Sequence, residues 1–176
     1  MVDKAPVTNP EAQLASYFAK YDPAMAKLGK ALRAKLRARL PGLFEIVYMY
    51  ENQGALVISY SPTERGFEGL CGISLSPRGV ELFFGQGALL AKSDPKKLLQ
   101  GSGKTVRHVV LNSVADFDRP EFEALMAAAL KIAKLRLDPG AKGSMIMKAE
   151  EQKQRAVRAK KAARPASTRR TAKARR

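Results

Sequence analysis

The stretch FEIVYMYENQGALVISY, residues 44–60, decides the fold. Its first seven residues alternate, with Phe44, Ile46, Tyr48 and Tyr50 on one side and Glu45, Val47 and Met49 on the other. A period of two, in a run rich in aromatic and β-branched residues, predicts a strand. Asn52-Gln53-Gly54 can turn the chain, and ALVISY (55–60) predicts the returning strand. Beyond a loop at 61–66, LCGISL (70–75) and VELFF (80–84) flank the turn Ser76-Pro77-Arg78-Gly79. Four antiparallel strands follow from this pattern.

Outward from the strands, the pattern changes to helical. Asp22-Pro23 opens a helix that Pro41-Gly42 must end, and Met25, Leu28, Leu32, Leu36 and Leu40 fall on one of its faces. A shorter helix before it starts at Thr8-Asn9-Pro10-Glu11, with Thr8 and Glu11 at capping-box spacing, and runs to about Lys20. On the other side, Asp94-Pro95 predicts one or two helical turns through Leu99. GSGKTVRHVVL (101–111) predicts a fifth strand. Asp118-Arg119-Pro120-Glu121 predicts the start of a helix that turns Phe122, Leu125, Met126, Ala129, Ile132 and Ala133 inward, with Asp138-Pro139-Gly140 as its stop. The expected class is α+β: an antiparallel sheet of about five strands with helices packed on one face.

Gly103-Lys104-Thr105 ends like a nucleotide-binding P-loop, but Leu98 stands where the leading glycine belongs. A β-branched strand follows it, where a P-loop needs a helix whose N-terminus faces the phosphates. The reading is a glycine turn entering a strand.

The chain has 176 residues, 45% of them hydrophobic, and a net charge of +16. Residues 1–140 carry +5 of this and residues 141–176 carry +11. Three parts are expected: a loose N-terminus over 1–10, an α+β domain over 11–140, and a basic Ala/Lys/Arg-rich tail over 141–176. In that tail, 144–163 has the composition of a solvated helix, Pro165 should stop it, and the last ten residues are expected to be disordered. No apolar run is long enough for a transmembrane helix, and MVDKAPVTNP lacks the apolar stretch of a secretory signal. One cysteine, Cys71, cannot form an internal disulfide. A reduced, cytoplasmic setting is the expectation.

LLQGSGKTVRHVVLNSVADFDRPEFEALMAAAL (98–130), together with the helix, Leu-Pro-Gly and hairpin of RARLPGLFEIVYMYENQGALVISY (37–60), resembles the YdhG-like family of small bacterial domains of unknown function. The resemblance covers about residues 14–137. Its most specific part is the 101–111 segment, where Gly101, Gly103, Lys104, Arg107 and His108 carry the family motif. The resemblance implies a frataxin-like fold and, for at least one member, a role as an iron chaperone.

Three readings of function follow. The first is a non-enzymatic binding module that associates with nucleic acid without base specificity. Its contacts would be the tail cations Lys153, Arg155, Arg158, Lys160, Lys161, Arg164, Arg169, Arg170, Lys173, Arg175 and Arg176, joined by Lys27, Lys30, Arg33 and Arg37 on the 23–40 helix. That helix has no Asp or Glu. The second reading is an iron-binding protein, the one reading that implies a cofactor. Asp116, Asp118, Glu121 and Glu123 are the only dense carboxylates it could use, and capping of a helix N-terminus explains their spacing as well. The third is an enzyme with an anion-binding pocket near Lys104 and Arg107. His108, the sole histidine, reads as a packed core residue beside Val106 and Val110, and Cys71 as a small core residue. No catalytic constellation is legible.

Overall fold

The computed structural model describes residues 9–148. Six strands form one sheet in the order β5-β4-β3-β2-β1-β6. They are β1 Phe44–Tyr50, β2 Ala55–Ser61, β3 Cys71–Ser76, β4 Gly79–Phe84, β5 Arg107–Leu111 and β6 Met145–Met147. Every pairing from β1 through β5 is antiparallel, and β6 alone runs parallel, on β1. Five helices accompany the sheet: α1 Pro10–Phe18, α2 Pro23–Arg39, α3 Gly87–Leu90, α4 Val114–Phe117 and α5 Pro120–Ile132. The protein is therefore α+β, with a mostly antiparallel sheet of six strands rather than five.

The predicted hairpin is present. A short 3₁₀ turn at Glu51–Gln53 ends on Gly54 in the left-handed region, at φ 58°. Register carries Val47 opposite Ile58 and Met49 opposite Leu56, and next Ile58 opposite Ile73 and Ile73 opposite Leu82. These side chains all point to the helical side of the sheet and are buried there. Gly29 of α2 lies against Leu75, and the Cys71 thiol lies 4.0 Å from the Met126 sulfur of α5. Both long helices thus rest on the face that Leu75 and Cys71 share. Phe44, Ile46, Tyr48 and Tyr50 turn to the other face, where Tyr48 and Tyr50 stack with ring centroids 6.0 Å apart.

Several local readings change. The N-cap of α1 is Asn9, whose side chain accepts from the Glu11 N–H, and Asp22 caps α2 as expected. The capping box belongs to Ser113 and Asp116 at α4, one short helix before the one expected, while α5 starts at Pro120 without a side-chain cap. Helical turns occur at Gly87–Leu90 and Ala91–Ser93, ahead of Asp94 instead of after it. The Asp94 carboxylate accepts from the Leu99 N–H and closes a loop there. On α2 the buried line is Ala26, Gly29, Leu32 and Leu36, with Met25 and Leu28 half-buried, so the apolar face is rotated slightly from the leucine stripe.

The largest change is β6. Met145–Met147 is a strand where a helix over 144–163 was expected, and it lies beyond residue 140, where the domain was expected to end. Met145 and Met147 pack against the core, and Glu45 N–H donates to Ser144 O at 2.8 Å. The remainder of the expected tail helix and the first residues of the expected loose N-terminus lie outside the described residues.

Candidate functional site

Carboxylates from other elements reach four of the six α2 cations. Arg33 is bidentate to Glu11 of α1, with contacts of 2.8 and 2.7 Å, and donates from Nε to Glu45 of β1. Arg37 reaches Glu11 at 3.2 Å and Glu45 at 3.5 Å. Lys35 pairs with Asp118, and Arg39 pairs with Glu123 while its guanidinium lies 5.4 Å over the Phe117 ring. Lys27 and Lys30 are exposed and make no ion pair among the described residues, although Lys30 Nζ lies 5.7 Å over the Phe18 ring. Of the four α2 cations expected to meet a polyanion, Arg33 is the least available: its side chain is 14% exposed.

Burial sets the stakes in this network. The Glu45 side chain is only 5% exposed, on the helical face of the sheet. A buried carboxylate persists when paired charge and hydrogen bonds replace its water. Arg33 supplies both, and desolvation opposing its charge is outweighed by Glu11 and Glu45, which push its pKa up. The Glu11 carboxyl is held below its ordinary value of 4.5, chiefly by the Arg33 hydrogen bond. A lowered carboxyl stabilises the fold above that ordinary value, and the contribution fades as pH falls through the lower, folded one. Tyr60 closes the network, donating its hydroxyl to Arg33 O at 3.3 Å. Beside it lies a cavity of about 150 Å³ bordered by Arg37, Glu45, Tyr60, Gly143 and Ser144. A larger, mainly apolar hollow of about 380 Å³ separates Ser93–Lys96 from Pro120, Ala124 and Leu125.

The four carboxylates proposed for iron are dispersed among protein partners. Asp116 accepts from the Asn112 and Ser113 N–H groups, which hold its carboxyl below the ordinary range. Asp118 is taken by Lys35, Glu121 by Lys96 at 2.5 Å, and Glu123 by Arg39. Among the described residues no group of three or more His, Cys, Asp or Glu side chains is placed to hold a metal ion.

Around the family-motif residues the chain forms a pinned loop. Gln100 and His108 exchange backbone bonds of 2.7 and 3.0 Å across its neck. Arg107 Nη1 donates to Gly103 O and Val106 O, and Ala88 N–H donates to Thr105 O at 2.7 Å. Gly87 of α3 packs so tightly on the Arg107 backbone that a side chain there would collide with it. Lys104 is exposed. Neither Lys104 nor Arg107 borders either cavity above. His108 is half-buried, and its flanking Val106 and Val110 are 46% and 38% exposed, so it stands outside the core that was expected for it. Alternation places these three on the face opposite buried Val109.

Cys71 is fully enclosed, and burial pushes its thiol up to about 12. The native protein is therefore expected to resist alkylation by iodoacetamide at pH 8 and to be modified promptly in denaturant. Mass spectrometry of timed samples checks this, and rapid native labelling would show that the core around Met126 opens readily.

Sequence reading gave Glu11 only a capping role and Glu45 only a side of β1, and missed their ion pairs. Glu45 did leave a signal: it is the one carboxylate on the Val47 and Met49 side of β1, within reach of a helix that carries only cations. The tail cations Lys153, Arg155, Arg158, Lys160, Lys161, Arg164, Arg169, Arg170, Lys173, Arg175 and Arg176 lie outside the described residues. No described helix is long and apolar enough to cross a membrane. No protein-family model, curated protein or solved structure matches this chain.

Proposed function

We propose that this protein is a non-enzymatic binding module that associates with nucleic acid through its C-terminal cations, without base specificity. The observation that carries the reading is charge placement. Residues 149–176 hold eleven Lys/Arg against two Glu. The α2 cations Arg33, Lys35, Arg37 and Arg39, by contrast, already have carboxylate partners inside the fold. Cations clustered along a chain release counterions from a phosphate backbone and contact it without reading sequence. Kinship with YdhG-like domains and a frataxin-like arrangement are part of this proposal, supported by the order of two helices, a meander and a C-terminal helix.

An electrophoretic mobility assay on the intact chain tests it. If about eight phosphates are engaged, log affinity should fall against log salt with a slope of about −7. A full-length variant with Arg164, Arg169, Arg170, Lys173, Arg175 and Arg176 changed to Gln should bind about tenfold or more weakly at moderate salt. Equal retention of the two proteins, or none by either in dilute buffer, would overturn the reading.

A further inference from the structure

The 101–106 loop has an unusual division of its backbone groups. Its six residues are all exposed. Gly103 O and Val106 O accept from the Arg107 guanidinium and Thr105 O accepts from Ala88 N–H, whereas none of the six backbone N–H groups donates to a described residue. The Gln100–His108 neck and the Gly87 contact hold the loop in place, and Gly101 turns the chain with φ 107°. Backbone N–H groups that no protein acceptor occupies can meet an anion, and fixing the loop beforehand lowers the entropy lost on binding.

Charge around the loop favours the same occupant. Residues 92–107 contain Lys92, Lys96, Lys97, Lys104 and Arg107 against one acid, Asp94, and Asp94 is buried with its carboxylate on Leu99 N–H. Lys96 answers Glu121, while Lys92, Lys97 and Lys104 are exposed without an ion pair among the described residues. A strand follows the loop, so no helix dipole assists and no nucleotide cradle is completed.

We propose that the 101–106 loop is a phosphate-binding site of the folded domain, with the N–H groups of residues 102–105 and the Lys104 ammonium meeting the phosphate oxygens. The ligand class is the phosphate group, free or as a phosphodiester. The proposal adds to the polyanion reading a contact within the fold, and the two can fail separately.

Backbone-amide NMR on the full chain tests it, with inorganic phosphate and a short single-stranded oligonucleotide titrated against chloride at equal ionic strength. Saturable shifts are expected at the amides of 102–105, and Lys104→Ala should weaken the midpoint by about fivefold, as expected for loss of one charge-assisted hydrogen bond. Gly101→Ala, forced to a positive φ, should abolish the response. A response to phosphate alone names the free ion as source, and a response to the oligonucleotide alone names the phosphodiester. Amides that stay still with both, or move equally with chloride, overturn the site. So does a Lys104→Ala protein that titrates like the parent. In the tail variant described above, loop shifts with phosphate should persist even as oligonucleotide retention falls, so loss of one effect does not imply loss of the other.

Discussion

Arg33→Ala is expected to lower the unfolding free energy by about 3 kcal/mol, the lower end for breaking a buried pair from one side. The loss comes from Glu45, not from the missing arginine. Glu45, 5% exposed in the native fold, would keep only the half-exposed Arg37, 3.5 Å away, to answer its charge. Lys35→Ala removes an ion pair of the same formal kind, but Lys35 and Asp118 are 35% and 54% exposed, so the expected loss is under about 1 kcal/mol. Replacing both partners, Arg33→Met with Glu45→Leu, should recover most of the stability, because well-packed apolar side chains need no desolvated charge. Urea unfolding of the three variants decides the matter. Equal losses for Arg33→Ala and Lys35→Ala would mean that Glu45 reaches water and the network is superficial.

This network also shows where sequence reading stops. Alternation in residues 44–50 and the glycine at 54 were enough to place a strand, its turn and its partner, because both signals are local. The same alternation could not say which side of β1 faces the helices. The aromatic side of Phe44, Tyr48 and Tyr50 is the more hydrophobic by composition, yet the helices cover the side of Glu45, Val47 and Met49. What permits this is a pair of long-range partners on α2, Arg33 with Arg37 beside it, whose charges complete an otherwise unfavourable burial. The absence of acids on α2 suggested a face left open for a polyanion. Its acids come from α1, β1, the end of α4 and the start of α5, at sequence separations that no local pattern reports. The 101–111 segment was half legible: β-branched residues marked the strand, but which loop carbonyls are occupied depends on Arg107 and Ala88.

A chain cut after Gly140 is expected to melt on the order of 10 °C below the full-length protein, whereas one cut after Lys148 should melt within about 2 °C of it. Residues 141–148 have the composition of the start of a tail, but they finish the sheet. Met145, Ile146 and Met147 pair with Glu45, Ile46 and Val47, and Lys148 N–H donates to Val47 O at 2.8 Å. Removing them frees several backbone groups at about 1 kcal/mol each and uncovers apolar surface beside Met145 and Met147, on the order of 4 kcal/mol together. The cut would also take away Gly143 and Ser144 from the cavity edge and open Glu45 to water from that side. β6 escapes sequence reading because three residues of parallel strand carry no periodicity and are specified by the partner they meet. Differential scanning calorimetry of the two truncations separates the cases. If both melt together, β6 contributes nothing to the fold. If only the shorter chain is weakened, any binding it loses reflects a damaged domain as well as a missing tail, so the clean comparison for the tail's role is the longer one.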